Sequence, residues 1–330
     1  MSQKAFHILS SSQFDREYLD YMCRLTDAIR RLDKSKEGLI YLKGLLAHKR
    51  GMLYFTQPST RTFLSFESAL HILGIRPSHI RDASTSSERK GESIEDSLRT
   101  FSSYVDVIIM RTKEPGLCDH IADYLDKTPR PVPIINAGSG PDEHPTQSLL
   151  DIYTLNRGFK DRGGIDGKNI MMVGDLKRGR TVRSLCRLLL NYKDIKITLV
   201  SPDAFRIEDD LRQAMVAAGV SFVETDDLKG SLKDADAVYM TRVQDEYDDP
   251  NGPCSQAKFS AFHLKYEHLD LMQDHCVIMH PFPRRQELDP KIDSDKRARY
   301  WRQERNGMWV RVALLTRIFG VDQNIIHPEL

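Results

Sequence analysis

The strongest constraint in this sequence is an alternation. Short apolar runs of strand length recur at 52–55, 107–110, 133–136, 170–173, 195–200, 221–223, 237–240 and 277–279. Between them, helical patterning is expected at 62–73, 92–104, 144–157, 180–192, 208–218 and 301–319. A first helix is expected over 15–33, where Leu19, Met22, Leu25, Ile29 and Leu32 fall at three- and four-residue steps. Strands that alternate with helices form parallel sheets covered on both faces. With 78–80 included, four strands precede the helix that begins at His144 and five follow it. That division suits two cores better than one large sheet. The expected fold is α/β: two doubly wound parallel-sheet domains bridged by two long helices, with 1–146 plus 305–330 forming one domain and 147–304 the other.

Length agrees, because 330 residues exceed the roughly 250–300 at which a single core tends to split. Lys plus Arg number 48 and Asp plus Glu 47, a net charge of +1. This balance argues against a nucleic-acid binder, which carries a basic excess, and against an acidic disordered chain. No stretch reaches the ~18 apolar residues of a membrane span. The start, MSQKAFHILSSSQF, has neither an apolar segment nor a cleavage site of the secretory kind. Cys23, Cys118, Cys186, Cys254 and Cys276 are widely spaced without C-x-x-C, which reads as reduced thiols in a cytoplasmic protein. Net charge says nothing about how the cations are arranged, and the motifs do.

Gln57-Pro58-Ser59-Thr60-Arg61-Thr62 follows a strand and opens an amphipathic helix. Free N–H groups and the helix dipole favour an anion there, and three hydroxyls with one guanidinium add donors. Capping by Ser59 would account for one hydroxyl only. The pattern points to a phosphate. Gly174–Thr181 (GDLKRGRT) also joins a strand to a helix and approaches a P-loop, but Arg180 stands where that motif requires Lys. A carboxylate ligand at Arg180 and glycines that merely shape the turn both fit.

Three further segments leave strands. Glu143-His144-Pro145-Thr146-Gln147 places a histidine where α/β proteins bind ligands. In Thr241-Arg242-Val243-Gln244, extended alternation would aim Arg242 and Gln244 the same way, a pairing suited to a carboxylate. In His280-Pro281-Phe282-Pro283-Arg284, two prolines shape a loop and leave carbonyls without neighbouring N–H groups. The polar segment 84–92 (STSSERKGE) reads as a mobile loop able to bring a cation to an anion, and 245–258 as a long surface loop. The basic run 296–305 reads as a solvated helix face. Arg61, Arg111, Arg180 and Arg242 each lie at or just past a strand's C-terminal end. They predict a substrate, or substrate pair, with several negative charges. No metal-ligand spacing occurs, and neither a G-x-S-x-G elbow nor a nucleophilic cysteine signature is present, so electrostatic activation without metal or cofactor is expected.

Together these motifs resemble the aspartate/ornithine carbamoyltransferase family from about 53 to 315. PSTRT, KGE, MR, HPTQ, GDLKRGRT, MTRVQ, HPFPR and NGMWVRVALL occur in family order. GDLKRGRTV, Arg242-x-Gln244 and HPFP resemble the aspartate branch, and the S-M-G and H-C-L-P segments typical of ornithine enzymes are absent. The resemblance implies transfer of a carbamoyl group from carbamoyl phosphate to L-aspartate, in pyrimidine biosynthesis.

It also implies residue roles. Ser59, Thr60, Arg61, Thr62 and Arg111 would hold the phosphate. Thr62, Arg111 and His144 would polarise the carbamoyl oxygen, and Gln147 would meet the carbamoyl amide. Arg180 would bind the α-carboxylate of aspartate, Arg242 with Gln244 the β-carboxylate, and carbonyls around Pro281 and Phe282 the nitrogens. The family's catalytic chains are homotrimers with shared sites, so Ser86 and Lys90 would reach a neighbour's site, and a regulatory chain or pathway enzyme is a further candidate partner. Phe63, Gln57 and Tyr247 depart from the commoner Arg, Glu and Arg. The Glu and the second Arg are associated with domain closure, not with the chemistry. Competing readings are a carbamoyltransferase for another amine acceptor, a non-catalytic scaffold, and a P-loop nucleotide binder that Arg180 disfavours.

Overall fold

The computed structural model describes residues 6–81, 91–139, 143–244 and 259–326. Two compact units emerge, Met1–Thr146 with Gly307–Leu330, and Gln147–Asn306.

The first unit opens with α1 (Arg16–Leu32), capped by Asp15, which accepts from Tyr18 N at 2.8 Å. Leu19, Met22, Leu25 and Ile29 are its buried face, as their spacing requires. Helix α2 (Lys36–Leu45) follows. The strands are β1 (Arg50–Phe55), β2 (Arg76–Ile80), β3 (Val107–Thr112) and β4 (Ile134–Ser139). They alternate with α3 (Thr60–Ile72), α4 (Ile94–Ser102) and α5 (Leu117–Asp126). The sheet is parallel in the order β2-β1-β3-β4. Every residue of β3 is buried, as expected of a central parallel strand covered on both faces.

The second unit holds β5 (Asn169–Val173), β6 (Lys196–Val200), β7 (Ser221–Thr225), β8 (Ala237–Met240) and β9 (Val277–Met279). They pair in parallel in the order β7-β6-β5-β8-β9. Helices α7 (Arg180–Leu189), α8 (Asp209–Ala217) and α9 (Leu228–Leu232) connect them. The unit bounds fall within α6 (Pro145–Gly158) and α10 (Tyr300–Ile318), and a short α11 (Gln323–Ile326) ends the described chain. No described helix is long and apolar enough to cross a membrane.

Both sheets are doubly wound, and the order places their switch points. In the first, the chain leaves β1 for β2 on one side and β3 for β4 on the other, so the switch lies between β1 and β3. In the second it lies between β5 and β8. Ligands of open α/β sheets bind outside the strand C-termini at such points.

Two expectations need correction. Helices α2, α5, α9 and α11 go beyond those expected from the sequence. In α2 the apolar Leu39, Ile40 and Tyr41 are exposed, which blurs its amphipathic period. The run 296–305 is not one solvated helix face. Helix α10 begins only at Tyr300, and Arg297 before it is buried. Its guanidinium pairs with Asp295 and donates to the carbonyls of Leu269 (2.8 Å) and Met272 (3.3 Å). It adds a donor to the Leu269 carbonyl, which also accepts from the Met272 N–H at 3.2 Å, and supplies one to the Met272 carbonyl.

Candidate active site

The segment after β1 is anchored by its neighbour strand. The N–H groups of Thr56 and Gln57 both donate to the carbonyl of Arg111 at the end of β3, at 3.0 and 3.2 Å. Ser59 then takes the N-cap position of α3, and its side chain makes no capping bond. Capping therefore does not account for that hydroxyl. Ser59 is half-buried, Thr60 and Arg61 are exposed, and Thr62 is buried. Phe63 is core: its ring meets Phe55 edge-on at 5.3 Å, and the Arg81 guanidinium lies over it at 4.6 Å. The aromatic at this position thus has a packing role.

Arg111, His144 and Thr62 gather at the exits of β3, β4 and β1. Arg111 is buried, and its Nη1 donates to Ala137 O at 3.0 Å. Thr62 Oγ1 lies 3.5 Å from His144 Nε2, and Thr146 Oγ1 lies 3.5 Å from His144 Nδ1. Gly138 makes this proximity possible. Its φ is +114°, and a Cβ there would sit 2.6 Å from Arg111 Nη1 and 3.4 Å from His144 Cδ2. Only a residue without a side chain lets the backbone pass between the two groups. Asn136 shapes the same turn: its Oδ1 accepts from Gly138 N (2.8 Å), and its Nδ2 donates to Ser139 Oγ (3.2 Å) and Leu9 O (2.9 Å).

Glu143, beside the histidine, is held by the N-terminal segment. Ser11 donates its N–H and its hydroxyl to Glu143 Oε2, both at 2.6 Å, and the Ser10 hydroxyl reaches both carboxylate oxygens. Nothing in the sequence marked Ser10, Ser11 or Gly138.

In the second unit, Gly174 ends β5 with φ +119°, and a Cβ there would sit 2.4 Å from Thr241 O. The β5 and β8 exits are therefore pressed together at the switch point. Asp175 is fully buried and binds Arg178 in a fork: Nε donates to Oδ2 at 2.9 Å, Nη2 lies 2.7 Å from Oδ2, and the Arg178 N–H donates to Oδ1 at 3.2 Å. This pair fixes the loop that delivers Arg180, half-buried, to the first turn of α7. Gln244 joins the loop: its N–H donates to Asp175 Oδ2 (3.2 Å) and its Nε2 to Arg178 O (2.8 Å). Arg242 donates through Nη1 to Val243 O at 2.9 Å. The structure thus ties 174–180 and 241–244 together. The motif GDLKR contained the signal for Asp175 and Arg178.

The turn after β9 is rigidly built. His280 is fully buried, and its N–H donates to Gln303 Oε1 at 2.9 Å. Its Nδ1 accepts from Phe282 N at 2.8 Å, which leaves Nε2 to donate to Glu287 Oε1 at 2.7 Å. Burial opposes the Glu287 charge, yet the bonds from His280 and from backbone N–H groups hold its carboxyl below the usual range. Phe282 adopts φ +51° and its ring packs on Trp301 at 4.9 Å and edge-on to Tyr300 at 5.9 Å. A non-glycine residue there costs about 1–3 kcal/mol and marks a constrained site.

Gln147 donates through Nε2 to Asp151 Oδ1 at 3.1 Å. Ser86, Lys90, Tyr247 and Cys254, with nearly all of the loops at 84–92 and 245–258, lie outside the described residues. Cys23, Cys118, Cys186 and Cys276 are buried free thiols, pushed up to about 12 mainly by burial, and so are poor nucleophiles. Among the described residues no group of three or more His, Cys, Asp or Glu is placed to hold a metal ion.

Residues 7–157 match the model of the aspartate/ornithine carbamoyltransferase, carbamoyl-P binding domain, and residues 166–318 that of the Asp/Orn binding domain. A chloroplastic aspartate carbamoyltransferase of Arabidopsis thaliana is 40% identical over 309 residues, covering 93% of this chain and 76% of the relative. The aspartate carbamoyltransferase catalytic subunit of Thermococcus gammatolerans is 37% identical over 314 residues, covering 95% and 97%. The aspartate transcarbamoylase of Trypanosoma cruzi, solved with carbamoyl phosphate and aspartate, superposes with a TM-score of 0.85 at 34% identity, over 94% of this chain and 95% of that one. Matched from residue 7 to residue 318, this chain belongs to the aspartate/ornithine carbamoyltransferase family.

Proposed function

We propose that this chain transfers the carbamoyl group of carbamoyl phosphate to the amino group of L-aspartate, giving N-carbamoyl-L-aspartate and phosphate for pyrimidine synthesis. The observation that carries the reading is the approach of Arg111 and His144 across Gly138, with Thr62 against His144. Relatives named for this activity support it, as does a relative solved with both substrates.

In this reading the first unit binds carbamoyl phosphate and the second aspartate. Ser59, Thr60, Arg61, Thr62 and Arg111 take the phosphate. Thr62, Arg111 and His144 point donors at the carbamoyl oxygen, and Gln147 meets the carbamoyl amide. Arg180 binds the α-carboxylate of aspartate. Arg242 and Gln244 bind the β-carboxylate, and the carbonyls of Pro281 and Phe282 orient the nitrogens. The amine adds to the carbonyl carbon, the bond from carbon to the phosphate oxygen breaks, and an amine proton is lost as the phosphate departs. Negative charge grows on the carbonyl oxygen and the leaving phosphate. Each preorganised donor aimed at that charge contributes roughly 2.7–4 kcal/mol.

The working form in this reading is a homotrimer in which Ser86 and Lys90 serve a neighbour's site, with room for a regulatory chain or pathway enzyme. The free buried thiols accord with a reducing compartment such as the cytoplasm.

An assay of carbamoyl transfer to a panel of amines tests the function. Product with aspartate is expected. No product from folded protein refutes the reading, and product with ornithine alone assigns the sister activity. For the shared site, Lys90→Ala chains mixed with Arg61→Ala chains should regain activity, and verified mixed trimers without recovery would refute sharing.

A further inference from the structure

Asp151 lies in α6, one turn past Gln147, and no part of it reaches solvent. No role was assigned to it from the sequence. Its carboxyl gathers donors from three elements. Gln147 Nε2 donates to Oδ1 at 3.1 Å, Gln303 Nε2 of α10 to Oδ1 at 2.7 Å, and the Tyr239 hydroxyl of β8 to Oδ2 at 2.8 Å. Gln303 is buried as completely as Asp151, and Tyr239 is all but completely buried.

The second amide carries the connection further. With its nitrogen committed to Asp151, Gln303 presents Oε1 to the His280 N–H at 2.9 Å. His280 in turn receives the Phe282 N–H on Nδ1. Tyr239 lies two residues before Thr241, at the strand exit that delivers Arg242 and Gln244. One buried carboxyl therefore ties together Gln147, the strand that leads to 241–244 and, through Gln303, the turn at 280–283, which the sequence had marked independently.

A buried carboxyl is costly, and burying one without function would favour an apolar replacement. Here it defines the orientation of two glutamine amides that could otherwise flip. An amide flip at Gln303 would set an NH2 against the His280 N–H, and one at Gln147 would present oxygen to the carboxylate.

We propose that Asp151 is a positioning residue for carbamoyl transfer: it locks the Gln147 amide and, through Gln303, the His280–Pro281–Phe282 turn in the orientation that substrate requires. The inference rests on the function proposed above. Asp151 does not touch substrate, and acts through Gln147 and Gln303.

The conservative variant separates positioning from simple filling of space. In Asp151→Asn the amide oxygen can still accept from both glutamines, while its NH2 turns to the Tyr239 oxygen. Asp151→Ala removes the acceptor. The wild type is assayed first, followed by both variants, Gln303→Ala and the Asp151→Ala/Gln303→Ala pair, with thermal melts to confirm folding. Asp151→Ala should raise KM for carbamoyl phosphate about tenfold and lower kcat/KM by roughly 10- to 100-fold, as for a sub-ångström misplacement. A smaller folded fraction would leave KM unchanged. Asp151→Asn should stay within about threefold of wild type, and the paired variant should lose less than the product of the single losses.

Unchanged KM in Asp151→Ala, an Asn variant no better than Ala, or fully multiplicative losses would each overturn the inference. Side-chain amide hydrogen exchange of Gln147 supplies a readout free of activity and of the Ala variant's folding. Slow exchange in wild type and Asp151→Asn is expected, and exchange as fast as an exposed glutamine overturns the network. An inactive wild type with slow exchange would sink the assigned reaction and leave the locked amide standing.

Discussion

Replacing Gly138 by alanine puts a methyl group 2.6 Å from Arg111 Nη1. Ordinary contact begins at 3.4 Å, so the guanidinium must withdraw by about 0.8 Å. It is the far end of a flexible side chain, so this movement alone costs little stability. The φ of +114° adds strain of roughly 1–3 kcal/mol for a residue with a Cβ. For a domain of this size that lowers Tm by roughly 2–12 °C, and the protein should still fold. Function should suffer more. The bond from Nη1 to Ala137 O, now 3.0 Å, would be lost or bent, and with it the direction of the guanidinium. A misplacement approaching 1 Å costs on the order of 100-fold in rate, about 2.7 kcal/mol of transition-state stabilisation. Steady-state kinetics with aspartate and carbamoyl phosphate, beside a thermal melt, would measure both effects. A Gly138→Ala enzyme that is folded and within threefold of wild-type kcat/KM would refute the idea that Gly138 positions Arg111.

Gly174→Ala makes the contrasting case, because the added methyl meets the Thr241 carbonyl at 2.4 Å and backbone cannot yield as a side chain does. Stability should fall by roughly 2–6 kcal/mol, and a denaturant midpoint shifted by less than the Gly138→Ala value would refute the argument. Arg61 is exposed, so Arg61→Ala should keep the wild-type melt while losing activity by about 100-fold or more, and near-normal turnover would refute the phosphate role. Burial pushes Asp151 up to about 7, against bonds from Tyr239, Gln303 and Gln147 that favour its charged form. Between about pH 4 and 7 the native state then holds a proton that the unfolded chain has lost, so this group's contribution to stability falls as pH rises. Urea unfolding should show Asp151→Asn gaining a few kcal/mol relative to wild type from pH 4 to pH 8, and a constant difference would contradict this.

Much of the fold was legible because it is local. All nine runs expected as strands became strands, and their division into four and five appears in two separate sheets. Apolar runs bounded by turns carry their own signature. The placement of the candidate arginines was legible for a related reason: Arg111 lies at the end of β3, Arg242 two residues past β8, and Arg61 and Arg180 in the first turns of the helices that follow β1 and β5, and a strand's C-terminal end can be read from the sequence. Helix α2 was missed because its apolar residues do not share one face. The buried Arg297 was misread because a run of basic residues shows charge and not the carbonyls of Leu269 and Met272 that receive it.

The sequence by itself determined the α/β class, the strand positions and which loops bear cations, since each depends on spacing within a dozen residues. Only the tertiary structure decided that β1 lies beside β3 and β5 beside β8, which puts the arginine-bearing exits at the two switch points. It also decided that Ser11 would hold Glu143, 132 positions away, and that Gln303 would bond Asp151, 152 positions away. Such pairings leave no local mark in the sequence. They form because winding of the chain brings distant backbone together, and a buried carboxylate must then find its donors wherever the fold has placed them.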